Sequence, residues 1–329
     1  MNIRKSILLF AAGLTAILGS GLTHAKEKVT YAYQMDPMYE AALWAMKNGK
    51  ITSDTIDVEL TALSIPALIQ ATTTKQYDVI QADVINVQRS ATRGLPLVIL
   101  STANRYNAKG EGHNIWVKKN SPYQAMQDLK GKKIAVPSLG SSGFNLLRFA
   151  TEEKHGVKLN PLGGDFTFVE MPVPQIEAAL ASGQVEAATT ILSQNYRVAK
   201  SGAYRPVATP AKDMHELWGL QMIPSINVGY PEKIAERPQA MKELARMMKE
   251  SADYLTAHPD EVYAAVAKEQ NIDPDFFTVL SAGYAESPNV LTANDRKAII
   301  KLWDLAYKNG VLKTEPDNES YFWADAVTE

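Results

Sequence analysis

The 329 residues contain no cysteine. That excludes disulfides, and it excludes a lipid anchor of the kind that needs a cysteine at its cleavage site. An excess of one charge is also missing: 34 Lys and Arg stand against 36 Asp and Glu, a formal net charge of -2. Nucleic-acid binders usually carry a basic surplus, so no nucleic acid is expected as a partner. His113, His155 and His215 are scattered with no metal-ligand spacing and read as ordinary surface or loop residues. There is no G-x-S-x-G, no H-E-x-x-H and no Cys/His pair. The expectation is a protein without metal, cofactor or catalytic residues. Beyond the first 25 residues no apolar run is long enough for a membrane span.

At the N-terminus, Arg4 and Lys5 precede an apolar stretch from Ile7 to Leu18, and Thr23-His24-Ala25 offers small residues for cleavage. This reads as an export signal, residues 1–25, cleaved after about Ala25. Such a chain, lacking both cysteine and a second apolar span, fits the periplasm. The 46% of hydrophobic residues suffices for one or two sizeable cores held without disulfides.

From Lys26 on, strand and helix patterns alternate. Val29–Tyr33, Ile56–Leu60, Tyr77–Gln81 and Pro96–Leu100 read as strands, with helical patterns from Met38 to Lys47 and after Ser64-Ile65-Pro66 and Asp83. Ile115-Trp116-Val117, Ile134–Val136, Phe166–Val169 and Val185–Thr190 suggest a second strand set, with Ile226-Asn227-Val228 as its last member. From Pro231 on the pattern is helical: Pro238–Ala257, Glu261–Lys268, Pro274–Ala282 and Asn294–Lys308. These helices bring no strands of their own, so they must cover the first sheet. The predicted fold is α/β with two lobes, each a mostly parallel sheet flanked by helices. Lobe 1 takes residues 26–111 and 230–329, lobe 2 takes residues 112–229, and the chain crosses near 108–114 and 228–232.

One stretch has the geometry of a binding loop. After the strand Ile134–Val136 comes Pro137-Ser138-Leu139-Gly140-Ser141-Ser142-Gly143, then a helix from about Phe144 to His155. The first N–H groups of a helix lack internal partners and favour negative charge. Gly140 and Gly143 permit close approach, Ser138, Ser141 and Ser142 add hydroxyls, and one of the last two suits the N-cap. In open α/β sheets ligands bind beyond the carboxyl ends of the strands. Those ends here are Gln34, Asp36, Ser64, Asp83 and Asn104 in the first set. In the second they are Ser138 to Phe144, Pro172, Thr189 and Thr190. Asp83 and Asp36 could equally be helix caps or acceptors for a ligand amine. Arg105 is the candidate charged partner for an anion. Phe144, Tyr196 and Trp218 could wall the site or simply fill the core.

Several segments carry a resemblance. They are Tyr33-Gln34, Ile80-Gln81-Ala82-Asp83, Ile115 to Ser121, Asp128-Leu129-Lys130-Gly131-Lys132-Lys133 through Pro137, Gly140-Ser141-Ser142, and Ala178 to Ala188. Together they resemble the periplasmic binding proteins of ABC importers for taurine, alkanesulfonates and nitrate, a group that includes carriers of thiamine-precursor pyrimidines. The resemblance implies a type II binding-protein fold, monomeric, that captures a small ligand between its lobes and delivers it to an inner-membrane permease. It implies an anionic group on the helix N-terminus at Ser141 and Ser142, with Gln34 and Asp83 facing the same cleft. Gly143-Phe144-Asn145 departs from the sulfonate pattern. An anionic or zwitterionic ligand of the taurine type is therefore expected, with an aromatic carboxylate or an uncharged pyrimidine as the alternative. Pyrimidine synthases of similar architecture carry a Cys-rich motif that is missing here.

Overall fold

A computed structural model describes residues 25–107, 113–280, 284–317 and 319–329. Residues 1–24 of the expected export signal and most of the first predicted crossing lie outside these residues.

The first chain segment runs β1 (Glu27–Gln34), α1 (Pro37–Lys47), β2 (Ile56–Leu63), α2 (Ile65–Thr74), β3 (Val79–Asp83), α3 (Val84–Ala91) and β4 (Val98–Tyr106). The middle of the chain gives β5 (Ile115–Lys118), β6 (Lys133–Val136), α4 (Ser142–His155), β7 (Thr167–Glu170), α5 (Val173–Ser182), β8 (Ala187–Thr189), α6 (Leu192–Lys200), β9 (Tyr204–Ala208) and α7 (Pro210–Trp218). The last part holds β10 (Ser225–Gly229), α8 (Pro231–Glu236), α9 (Pro238–Ala257), α10 (Pro259–Gln270), α11 (Asp275–Val279), β11 (Ala285–Glu286) and α12 (Ala293–Lys308).

Two sheets result, in the orders β11-β4-β10-β3-β1-β2 and β7-β6-β8-β5-β9. In the first, β1 pairs in parallel with β2 and β3, while β10 runs antiparallel to β3 and β4. In the second, β6 pairs in parallel with β7 and β8, and β5 runs antiparallel to β8 and β9. Each sheet is therefore parallel apart from reversed strands, β10 with the short edge strand β11 in one and β5 in the other. The two reversed inner strands are where the chain enters a sheet from the other lobe.

The expected place of Ile226-Asn227-Val228 is corrected. That strand is β10, and it lies in the first sheet. Asn227 explains why: it is fully buried, and its side chain accepts from the Tyr31 hydroxyl at 2.7 Å and donates to Ser101 Oγ and Asn289 Oδ1 at 2.9 and 3.1 Å. A buried amide needs such partners, and all three belong to the first lobe. The second crossing therefore precedes β10, in the segment between α7 and Ser225. The sequence reading also omitted α6, β9 and α7, and it placed a longer helix at 274–282 than α11, whose predicted end runs into residues not described.

Of the late helices, α9 covers the first sheet as expected, while α11 packs on α6 and α12 on α3 and α4. Along α9, Met241, Leu244, Met247 and Met248 are buried at helical spacing, and the helix packs on α1, β1 and β2. After α12 the chain returns to the first sheet: Ile99 donates to the Tyr321 carbonyl at 2.7 Å, and Trp323 donates to the Ile99 carbonyl at 3.0 Å.

Candidate functional site

A cleft of about 1160 Å³ opens between the two sheets, slightly above the ordinary small-molecule range of about 300–1,000 Å³. Its walls are mainly apolar, with Met35, Ile65, Ile69, Tyr106, Phe144 and Leu192 among them. Both lobes contribute, through the segments that follow their strands. Gln34, Asp36, Ser64, Asp83 and Asn104 line it from the first lobe, and Ser138, Gly140, Ser141, Gly143, Phe144 and Pro172 from the second. Three expected residues are not on its wall. Thr189 and Thr190 are buried, and Thr190 donates to Asn195 Oδ1. Ser142 is buried between the lobes.

Local sequence explains how the acidic groups are aimed. Asp36 precedes Pro37, which suits the first turn of a helix because it lacks an N–H. Asp36 takes extended backbone angles and caps α1, accepting from Met38 N at 3.0 Å. Its other carboxylate oxygen accepts from Ser193 Oγ of the opposite lobe at 3.0 Å. Burial pushes the Asp36 carboxyl up from 3.8 to about 6, against the pull of those donors, of the Ser193 backbone N–H and of Arg197. Among the described residues no Lys or Arg forms an ion pair with it.

Asp83 caps α3, accepting from Ile85 N at 3.0 Å. It also reaches across the cleft to the start of α4, where it accepts from both the backbone N–H and the hydroxyl of Ser142. Ser142 Oγ in turn accepts from Ile85 N at 2.7 Å. The N-termini of α3 and α4 thus meet head-on with one carboxylate between them, an arrangement both helix dipoles favour. Burial raises the Asp83 pKa, and the Ser142 donors oppose the rise.

The expected N-cap at this loop is Ser141, whose hydroxyl accepts from Phe144 N at 3.1 Å. Glu170 accepts from Leu139 N at 2.9 Å, and Arg89 donates to the Gly140 carbonyl at 2.8 Å. Several of the loop's donors are therefore already engaged within the protein.

Some roles differ from the sequence reading. Arg105 is no anion partner in the cleft: it grips Asp295 through Nε and Nη2 at 2.9 and 2.7 Å and holds Glu286 at 2.8 Å. Tyr196 packs edge-on against Phe276, and Trp218 lies under Lys301; neither lines the cleft. His113 is not a surface residue. It is 3% exposed, lines the cleft, and sits where a Cβ on Gly143 would come within 2.9 Å of its Cε1. Any side chain at Gly143 would therefore force His113 to shift. Burial lowers the His113 pKa to about 4, which keeps the imidazole neutral at pH 7.

Sequence reasoning also missed Tyr39, Gln81, Ser193 and Ser225. Gln81 Oε1 accepts from Gln34 N at 2.6 Å, and its Nε2 donates to Ser225 Oγ, which lies 3.2 Å from the Tyr39 hydroxyl. The Gln81-Ala82-Asp83 strand end was the one available signal for this group. Among the described residues no three His, Asp or Glu side chains converge as a metal site, and no helix is long and apolar enough to cross a membrane.

Comparison with known proteins fits this architecture. The alkanesulfonate-binding protein SsuA from Xanthomonas axonopodis pv. citri, solved with MOPS bound, superposes with a TM-score of 0.74 at 19% identity, covering 91% of this chain and 99% of that one. The periplasmic aliphatic sulphonate binding protein SsuA from Escherichia coli gives 0.71 at 17% identity, covering 91% and 98%. At these identities the likeness establishes the fold, which is the expected two-lobed binding-protein fold. A Brucella abortus (strain 2308) protein named "Putative binding protein BAB2_1146" is 29% identical over 222 residues, 63% of this chain; the match spans 64% of that relative's own length. The pattern of the family described as NMT1/THI5 like matches residues 43–262. That stretch carries the whole second sheet, four of the six strands of the first and most of the cleft, and the chain belongs to the NMT1/THI5-like family.

Proposed function

We propose that this protein is the solute-binding component of an ABC importer, working in the periplasm as a monomer. It captures a small organic molecule between its lobes and presents the closed form to a membrane permease. The observation that carries this reading is a cleft lined from both lobes, with polar groups at the strand ends and apolar walls between them. Asp36 receives the N–H-bearing end of the solute. It is a buried carboxylate on the cleft wall that forms no ion pair among the described residues, and a buried charge left unpaired is costly. A bound ammonium or amidine-like group would supply the missing partner. The chain is read as a binding protein without catalytic activity, and the domain division is read as lobe 2 inserted into lobe 1.

A second reading follows from the names of the two SsuA neighbours: a sulfonate, or taurine with both an amine and a sulfonate. On that reading the acidic end sits on the first amides of α4 and the Asp83 carboxylate gives way to it.

Thermal unfolding against taurine, alkanesulfonates, nitrate, aromatic carboxylates, aminopyrimidines and small amines tests the function. A solute that binds only the folded chain adds about 2.7 kcal/mol of stability at a hundredfold excess over Kd. A rise in Tm with at least one solute is expected, and that rise should disappear in Asp36→Ala. If no solute shifts Tm, or the shift survives unchanged in Asp36→Ala, the reading of the site fails.

A further inference from the structure

A solute-binding cleft must select a head group, and the choice made by the second lobe is inferred on the basis of that solute-binding role. The loop before α4 has the form of an anion site, yet the protein has furnished its own anions. Asp83 takes the Ser142 N–H and hydroxyl, and Glu170 takes the Leu139 N–H. The Phe144 N–H is held by the Ser141 hydroxyl. Ser142 itself is fully buried, sealed from the cleft by the contact it makes. A neighbouring cation, Arg89, donates to the Gly140 carbonyl on the same loop. Of the basic side chains on the cleft wall, Arg89 is spent on that carbonyl, Arg93 is the other, and no Lys is among the described lining residues.

We propose that Asp83 is an internal anion that fills the α4 N-terminus and thereby sets head-group specificity: the cleft rejects sulfate- and sulfonate-type groups and admits neutral or N–H-donating ones. An incoming sulfonate would meet two carboxylates already bonded to the loop. Juxtaposed like charges cost several kcal/mol at close range. A neutral or cationic group meets no such opposition and can use the remaining acceptor capacity of the same carboxylates. Asp83 is thus a specificity-determining residue that also joins the lobes.

The test uses the full mature chain and two named probes, sulfate and ethanesulfonate, with chloride at matched ionic strength as the control. Asp83→Asn retains an N-capping side chain for α3, and Asp83→Ser is the second variant should the first unfold. The readout is the backbone amide resonance of Ser142, followed with each probe, together with affinity by calorimetry. In the natural protein the Ser142 resonance should not respond to either probe. In the variants it should move with both, and affinity for ethanesulfonate should rise by roughly tenfold or more, which corresponds to about 1.4 kcal/mol or more. A Ser142 response in the natural protein equal to that in the variants overturns the proposal. So does silence in both variants, since the helix start would then not be an anion site at all. These outcomes are separate from the transport reading. If no solute raises Tm, that reading fails, while the Ser142 response still decides the role of Asp83.

Discussion

Two carboxylates of the first lobe reach serines of the second, Asp83 to Ser142 and Asp36 to Ser193. The chemistry is the same and the surroundings are not. Asp83 accepts from Ile85 N and from both donors of Ser142, at the junction of two helix N-termini. Asp36 accepts from Met38 N and from the hydroxyl and N–H of Ser193, at the starts of α1 and α6, faces an apolar cleft, and is pushed up to about 6 by burial. A third buried carboxylate gives the scale. Asp295 is gripped by the Arg105 guanidinium through two bonds and also serves the capping box of α12. Ranked by partners, Asp295 has a cation, whereas Asp83 and Asp36 each join two helix starts without an ion pair, and of the two Asp36 is the one burial pushes up to about 6. A buried, ionisable acceptor without an ion pair at a cleft wall marks a place for a ligand; a carboxylate gripped by a guanidinium marks structure.

The ranking can be broken in order of expected effect. Arg105→Ala leaves Asp295 buried without its cation and should cost about 3–5 kcal/mol of folding stability. Because Arg105 is outside the cleft, solute affinity per folded molecule should not change. Denaturant unfolding and calorimetry together check both halves, and a matching loss of affinity would place Arg105 back in the site.

Asp36→Ala should weaken binding of any solute found by thermal shift by about 2–5 kcal/mol, the usual loss when one partner of a buried, hydrogen-bonded charge pair is removed. Titration calorimetry measures it. An effect as small as that of an exposed residue would equate Asp36 with a simple helix cap.

The third way is pH. Asp36 titrates at about 6 in the folded chain against an ordinary 3.8. The folded state therefore holds the proton more tightly between those values, so this group favours folding at low pH. Its contribution is lost as pH rises from about 4 through about 6. Arg197 pulls the other way, and the neighbouring Tyr39 and Tyr106 hydroxyls stay protonated throughout. Asp36→Asn keeps the cap without the charge. The stability difference between natural protein and variant should therefore change by on the order of 1–3 kcal/mol across that window. A flat difference would remove the case for a buried, unpaired charge. The solute's ammonium would reverse the shift, so affinity should fall as pH drops below about 6.

Smallest is Ser193→Ala, which removes one hydrogen bond between lobes while Asp36 keeps its cap. About 0.5–1.5 kcal/mol of closed-state stability is expected to go. Small-angle scattering would register it as a larger radius of gyration in the unliganded chain.

Much of the site was legible in the chain. The strand, small-residue loop and helix start around Ser141 announce themselves because capping and glycine chemistry are local. Asp36 and Asp83 were recognisable as cap residues for the same reason. What could not be read was tertiary. Nothing near Ile226-Asn227-Val228 says which sheet it joins; that is decided by Tyr31, Ser101 and Asn289, far away in sequence. The second role of Asp83 depends on two helix starts meeting across a cleft. His113 was misread because a lone histidine without ligand spacing resembles a surface residue; only its packing on Gly143 shows otherwise.

In the first sheet β3 and β4 are separated by β10, and β10 arrives only with Ser225–Gly229. Until that stretch is made, two central strands have open edges and the first lobe has no complete core. The second sheet, by contrast, draws all its strands from one continuous run, Ile115 to Ala208, and can assemble first. The first sheet needs strands from both ends of the chain, and the segment after α12 also lies over Ile99. A first sheet that needs Ser225–Gly229 and Ala285–Glu286 cannot be completed until most of the chain has been synthesised.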